Sequence, residues 1–492
     1  MMFLALLLPC SALLAPASHR RRPRATLRAA AATWDTTTGP SSTLVAGGGP
    51  AGIATAIMLA RRGWKNIRVC DRLEEPFKPD DDVTWSDAAR FYLVGLGLRG
   101  QRALGQLDAW ADVEKYCAEV VGRKDWAPGA GPDEGAERIF DDRPVSTQVI
   151  ARDRLQGALY EVASTKYPEI SFDWGAEVQD VAVDGGDGVE ATLRLSDGTE
   201  QILRPPLVIG ADGTARTVAM ALEEAAPRRT RITRYDDDNE RVFKTVPLDL
   251  PEAWRGDINY SARSASGRLN FDALPSGRAA ADAKKRYCGV LLLKADDPLA
   301  QADSDPEELR ALMDEFLPQF MPYVDAAAFE AVAKKPASRL PGFRFVGPRV
   351  HRGDAVALLG DAIHTVKPYF GLGANAAFED VAALDAALDA SSTGADALAA
   401  FSRARGPEAR ALVQISRGFD RPGLVGFLTF ILPIILDSIF HAAFPSIFGV
   451  NSIAALQRQG TFVQVRWAKR KDRLLQAVAL GGGAGLAFAA LR

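Results

Sequence analysis

Cysteine and histidine are both scarce in this chain of 492 residues, with four of each. The cysteines are Cys10, Cys70, Cys117 and Cys288, and none falls at a CxxC spacing. They make neither a disulfide framework nor a thiolate metal site. The histidines form no HxxxH pair, so no protein-ligated metal is expected. A basic excess is also missing. The 59 Lys and Arg residues face 62 Asp and Glu, a net charge of -3, which argues against a nucleic-acid partner. No Walker lysine and no hydrolytic triad is visible. Any redox chemistry must then be carried by an organic group. The apolar share of 47% and charged share of 25% are ordinary for a globular protein. The length suits two or three domains.

The ends differ from the middle. Residues 1–34 begin with an apolar stretch of signal length and continue as HRRRPRATLRAAAATW, rich in Arg and Ala; the first acid is Asp35. An apolar leader followed by a basic, acid-free stretch reads as a two-part address for a complex plastid. A plain secretory signal and a mitochondrial presequence are the alternatives. Near the other end, residues 423–450 are apolar but interrupted by Asp437, His441 and two prolines. They are expected to form a helical pair that packs on the protein or lies in a membrane interface. Residues 474–491 carry one polar side chain, Gln476, and just reach spanning length. The cations Arg466, Lys469, Arg470, Lys471 and Arg473 precede them, as expected beside a membrane span. The competing reading makes both segments buried core helices.

Three motifs carry chemistry. The first is TLVAGGGPAGIATAIMLARRGWKNIRVCDR at 43–72. It reads as strand, GxGxxG turn, helix and second strand. Gly47 permits the tight turn, Gly49 lets a pyrophosphate approach the backbone, and Gly52 lets the helix pack close. Pro50 and Ala51 open the helix, whose free N–H groups and positive dipole end favour phosphate. Asp71 and Arg72 end the second strand, 24 and 25 residues after Gly47, where a carboxylate can take ribose hydroxyls. The motif alone does not separate FAD from NAD. The second is GADG, with Asp212 at a strand end. The third is GDAIHTVKPYFGLGAN at 360–375. There Asp361 can accept from a ribityl hydroxyl, and the Gly371-Leu372-Gly373-Ala374 turn opens a helix toward a flavin ring. Glu379 and Asp380 read as an exposed helix pair, and His364 as a packing or loop-bonding residue.

In this order the three motifs resemble the single-component FAD monooxygenases, a group that includes para-hydroxybenzoate hydroxylase-like enzymes. Within it, the chain looks most like kynurenine 3-monooxygenase. Residues 90–104, QVIARDRLQGAL at 148–159, FSRARGPEA at 401–409 and the apolar tail extend the likeness over most of the chain. The resemblance implies an α/β fold. Its parts are an FAD-binding βαβ domain of para-hydroxybenzoate hydroxylase type, an inserted mixed-sheet substrate domain and a helical C-terminal membrane region. Gly47, Gly49, Gly52 and Asp71 would hold the ADP half of FAD, Arg152 would lie near it, and Asp361 would hold the ribityl chain. Pro368 and Gly371 to Asn375 would sit at the ring, with Asn375 on the substrate side. Arg90 would bind a substrate carboxylate. The implied reaction is hydroxylation of an aromatic or conjugated small molecule with NAD(P)H and O₂, through a flavin C4a-hydroperoxide. A polyprenyl-type reductase and a non-catalytic prenyl-binding escort share the fold and stand as alternatives.

The match also breaks in places. Arg216 and Ala219 stand where that family has Ser and Arg; Phe91, Tyr92 and Leu93 stand where it tends to have Ser, Ile and Asn. No Tyr lies near 417–419. The substrate is therefore open, as is the choice of NADH or NADPH. The expected organisation is an address at 1–34, an FAD-binding domain at 43–225 and 345–420, a substrate domain at 226–344 and a membrane region at 421–492. Strands are expected at 241–246, 258–262, 268–274 and 287–294, from their two-residue alternation.

Overall fold

The computed structural model describes residues 34–85, 92–141, 143–183, 189–236, 239–264, 266–276, 285–458 and 460–490. Its first layer is a six-stranded sheet. Strand Thr43–Ala46, buried at all four residues, pairs in parallel with Ile67–Asp71 on one side and Leu207–Gly210 on the other. Ile170–Trp174 and Val356–Leu358 extend it in parallel, and His351–Arg352 closes one edge antiparallel. Continuous burial of Thr43–Ala46, Leu207–Gly210 and Val356–Leu358 explains why these three read as short apolar runs rather than alternating strands. The helix Pro50–Arg61 is buried without interruption from Gly52 to Ala60. It packs between the helices Arg152–Lys166 and Leu372–Asp389.

The second large layer is a seven-stranded mixed sheet built on Arg241–Leu250, Ile258–Arg263, Leu269–Pro275 and Lys285–Lys294. These are the strands expected from alternation, and their apolar faces meet the helices Pro306–Phe316 and Ala326–Lys334 in a separate core. The sheet is not confined to 226–344. Gly122 pairs in parallel with Ile258, and the hairpin Gly122–Trp126 with Ala136–Ile139 adds two edge strands from an earlier stretch of chain. Such a pairing bridges 136 positions and leaves no local pattern to read.

At the start, Trp34 is already core. Its ring packs edge-on against Trp64, and its Nε1–H donates to the Asp354 carbonyl at 3.0 Å. Trp34, the last residue of the expected address, is therefore part of the fold; residues 1–33 lie outside the described residues.

At the other end, a continuous rod runs from Gly423 to Ala443. Among the described residues it is the helix long and apolar enough to cross a membrane, the role expected of 474–491. A wider π turn at Phe427–Ile431 lies just ahead of Pro433 and absorbs it without breaking the rod. Residues 474–490 are the last part of the long helix Phe462–Ala490. The cationic cluster is partly turned inward. Asp437, fully buried on the apolar rod, meets Lys469 at 3.2 Å and Arg473 at 2.6 Å. Those two cations offset a buried carboxylate and clamp the two helices together.

Candidate functional site

Strand register brings the three motifs to one edge. Ala46 lies opposite both Cys70 and Gly210, and Gly210 lies opposite Leu358. The residues that follow, Gly47, Asp71, Ala211-Asp212 and Gly360-Asp361, therefore leave the sheet side by side at the carboxyl ends of its strands. That is the ligand-binding edge of an open α/β sheet.

The first turn is built as the motif requires. Gly47 has φ +109, and a Cβ there would overlap the Ala211 carbonyl oxygen. A Cβ on Gly52 would overlap the Gly47 carbonyl oxygen. Asp71 accepts from the Gly48 N–H and the Leu73 N–H, both at 2.8 Å, so it braces the turn while its remaining lone pairs stay available. Arg72 is exposed and Pro50 and Ala51 are half-buried at the helix start. Arg152, 103 positions on from Gly49, reaches the same turn; its Nη2 is the nearest atom, at 3.5 Å, to a Cβ placed on Gly49. Gln156 fixes that approach by donating to the Gly48 carbonyl at 2.7 Å.

Asp361 is partly buried, on the floor of the cleft. Burial pushes its carboxyl above the usual carboxylate range, against the pull of His364, Arg216 and Arg152. Its carboxylate takes no hydrogen bond from the described protein, whereas its carbonyl accepts from Arg216 at 2.6 Å. Asp212 is similar. It accepts from the Val218 N–H at the start of the helix Thr217–Ala225, but its buried Oδ1 has no partner among the described residues. Two acids short of donors at the mouth of a glycine turn fit a polyhydroxylated dinucleotide. The residues present suit FAD.

A raised acid destabilises the folded chain at neutral pH. The unfolded chain ionises first, so stability falls as pH rises from the unfolded value to the folded one. Asp361→Ala is expected to leave the FAD-free protein no less stable at pH 7. The same change is expected to weaken FAD by about tenfold or more, through loss of a charge-assisted bond. Thermal melts with and without FAD check both signs. An FAD-free melt lowered by several degrees would contradict the first.

Asn375 does not face a substrate. It is 5% exposed, and its amide is spent inside the protein. Oδ1 accepts from the Gly97 and Gly100 N–H groups at 2.9 Å each, and Nδ2 donates to the carbonyls of Gly95 and Gly371 at 2.8 and 2.6 Å. It bolts the start of the Leu98–Gln106 helix to the Gly371 turn. Gly371 itself has φ +65, and a Cβ there would meet the Gly95 carbonyl oxygen at 2.6 Å. Asn375→Asp is therefore expected to set a carboxylate oxygen against two carbonyls and to cost about 2–3 kcal/mol, the penalty of unsatisfied buried groups. Urea unfolding measures it, and an unchanged midpoint would refute this assignment. The N-terminus of the Leu372–Asp389 helix, with half-buried Gly373 and Ala374, opens beside Pro368.

Arg90, the carboxylate candidate, lies outside the described residues. Its neighbour Tyr92 is described. It pairs with Phe243 of the seven-stranded sheet at 6.0 Å, and burial followed by the Asp361 charge raises its phenol well above the ordinary value. An aromatic wall thus joins the two layers beside the cleft.

Sequence reasoning missed three supports. Arg216 is 2% exposed and held under the cleft by the Asp361 carbonyl, Thr365 and the Thr214 carbonyl; burial brings its guanidinium down to about 10. Asp380, read as exposed, is fully buried. It accepts from the Gly360 N–H at 2.8 Å and from Arg405 Nε at 2.6 Å, and it pairs with His364 Nε2 at 2.8 Å. Lys367 and Tyr369, flanking Pro368, both bond Asp420.

The family described as "FAD binding domain" matches residues 98–416. A kynurenine 3-monooxygenase of Xanthomonas oryzae pv. oryzae is 28% identical over 377 residues, 77% of this chain and 78% of that one. One from Salinispora tropica is 25% identical over 461 residues, 90% and 94% of the two chains. A solved variant of 2-methyl-3-hydroxypyridine-5-carboxylic acid oxygenase superposes with TM-score 0.58 at 21% identity, over 80% of this chain and 96% of its own. PqsL of Pseudomonas aeruginosa, in complex with 2-aminobenzoylacetate, does so with TM-score 0.58 at 22% identity, over 79% and 99%. The chain belongs to the FAD binding domain family and is an oxidoreductase of its single-component FAD-dependent monooxygenases, the group that includes kynurenine 3-monooxygenase.

Proposed function

We propose that this protein hydroxylates an aromatic or conjugated small molecule at the expense of NAD(P)H and O₂, in the manner of kynurenine 3-monooxygenase. The observation that carries the reading is the cleft itself. Gly47, Gly49, Asp71, Arg152 and Asp361 come from distant stretches and meet at one sheet edge, and the Asp361 carboxylate has no donor among the described residues. FAD held there supplies electron uptake from NAD(P)H and activation of O₂. The protein's share is positioning and exclusion of water. Gly49 and the helix start at Pro50, Ala51 and Gly52 take the pyrophosphate, with Arg152 beside it. Asp71 takes the ribose, and Asp361 the ribityl chain. The helix N-terminus at Gly371 to Ala374 offers N–H groups and a positive dipole end to negative charge on the ring. Tyr92 and Phe243 wall the substrate space, and Arg90 is the candidate for a substrate carboxylate. Aromatic relatives and the aromatic wall favour a planar, conjugated substrate.

In the same reading Gly423–Ala443 seats in a membrane, and the N-terminal address directs the protein to a plastid. The test uses the full chain in mild detergent. Bound flavin is read from visible absorption. NAD(P)H oxidation is then followed in air and under nitrogen while aromatic acids, kynurenine among them, are screened. Oxygen-dependent oxidation stimulated by one acid, with a hydroxylated product, supports the proposal. A colourless protein that refuses added FAD overturns it, as does reduction of a substrate without O₂.

A further inference from the structure

The loop that carries Pro368 is fastened to the base of the apolar rod. Asp420 follows the Gly394–Phe419 helix, is 6% exposed, and stands three residues before Gly423. Its Oδ2 accepts from Lys367 Nζ at 2.6 Å, and its Oδ1 accepts from the Tyr369 hydroxyl at 2.7 Å. Lys367 is fully buried and also donates to the Asn239 carbonyl at 2.6 Å. Between Tyr369 and Gly371, Phe370 is held at φ +60, a conformation that a bulky residue adopts only when its surroundings impose it. Its ring meets Phe419 edge-on at 5.5 Å, and Phe419 meets Phe430 of the apolar rod at 4.9 Å. Two lines of contact, one ionic and one aromatic, thus run from the 367–371 loop to the junction and into the rod.

A buried ion pair contributes little net stability, because desolvation offsets its attraction. Its effect is to fix geometry. Here it fixes the residues directly ahead of the Gly371 turn. We infer that Asp420 is a positioning residue for the flavin-side loop, and that the Phe419–Phe430 contact makes the seat of the apolar rod part of that positioning. This rests on the reading that the loop faces FAD. With the rod seated, Lys367, Tyr369 and Phe370 hold the Gly371 to Ala374 amides in place. With the rod displaced, the loop relaxes, and electrons from NAD(P)H pass to O₂ to give H₂O₂ without hydroxylating substrate.

The experiment compares the full-length protein with Asp420→Asn, Asp420→Glu and Phe430→Ala. Three quantities are read: FAD affinity from flavin fluorescence quenching, the vibronic shape of the bound-flavin band, and the share of NAD(P)H recovered as H₂O₂. Asp420→Asn removes the counter-charge of a buried ammonium and is expected to weaken FAD about tenfold and blur the band. Asp420→Glu is expected to restore most of both. Phe430→Ala, remote from the loop, is expected to raise the H₂O₂ share about twofold or to alter the band, in a protein whose far-UV circular dichroism is unchanged. If Asp420→Asn does not fold, Asp420→Glu and Phe430→Ala still decide. Wild-type values in all folded variants overturn the inference. A silent Phe430→Ala beside an altered Asp420 variant overturns the link to the rod. A wild-type protein without flavin affinity instead sinks the FAD reading on which this rests.

Discussion

Gly49→Val is expected to give a folded protein that binds FAD at least about a hundredfold more weakly. Gly49 has φ -72 and ψ 176, backbone that any residue adopts. A Cβ there meets nothing nearer than Arg152 Nη2 at 3.5 Å. The protein therefore has little steric reason of its own for glycine at this position, and as a helix N-cap glycine differs from its replacements by only about 1 kcal/mol. What a side chain would occupy is the space over the first turn of the Pro50–Arg61 helix, where a pyrophosphate meets free N–H groups. Losing two charge-assisted bonds costs about 3 kcal/mol, which is about a hundredfold in affinity. Gly52 provides the contrast. A Cβ there overlaps the Gly47 carbonyl, backbone on backbone, so even Gly52→Ala is expected to lose the fold. Far-UV circular dichroism and flavin fluorescence quenching separate the two results. A Gly49→Val protein with wild-type FAD affinity would remove the pyrophosphate from this turn.

The cleft was legible where its chemistry is local. A strand end runs into a glycine at 46–47 and 359–360, the second followed by an acid, and into an acid at 70–71, and the strands themselves are short and mostly apolar. Register alone then brings them together. What stayed hidden lies in contacts between distant segments. Asn375 follows the GLG turn and looks available until the backbone of 95–100 arrives to use all four of its bonds. Asp380 neighbours Glu379 in sequence, and an acidic pair suggests a wet face. Yet adjacent helix residues point about 100° apart, and Asp380 lies on the stripe of Ala376, Leu384 and Leu388. An acid on an apolar stripe is the mark of burial that the sequence carries here. The edge strands at 122–126 and 136–139 carry no comparable mark. Arg123, Lys124 and Asp125 alternate with nothing, and their place depends on a parallel partner more than 130 residues away.

Asp380→Ala is expected to destabilise the protein by about 3–5 kcal/mol. The reasoning starts from what it leaves behind. Arg405 and His364 are 8% and 0% exposed, and Asp380 is the carboxylate that both bond closely, with Glu379 only at 4.0 Å from Arg405. Removing one partner of a buried pair strands the other charge, which costs far more than the pair contributes intact. The pH dependence carries a sign. Burial pushes the Asp380 carboxyl up, but Arg405, His364 and the Gly360 amide outweigh it, so the group ends below the usual carboxylate range. A depressed acid contributes stability that is present above its unfolded value, near 4, and is lost as pH falls through the lower folded value. The wild-type protein should therefore lose stability steeply on that acid limb, and the variant should lose less there. Function follows through Gly360. Its N–H is held by Asp380, and the next residue is Asp361, so releasing that amide frees the acid assigned to the ribityl chain. Asp380→Asn keeps an acceptor for Gly360 while removing the charge, and is expected to retain FAD affinity better than alanine while showing the same shallow acid limb as alanine. Urea midpoints between pH 3 and 7, paired with FAD titrations of both variants, test each step. Equal acid limbs in wild type and variant would mean that the Asp380–Arg405 pair does not set the stability of this edge.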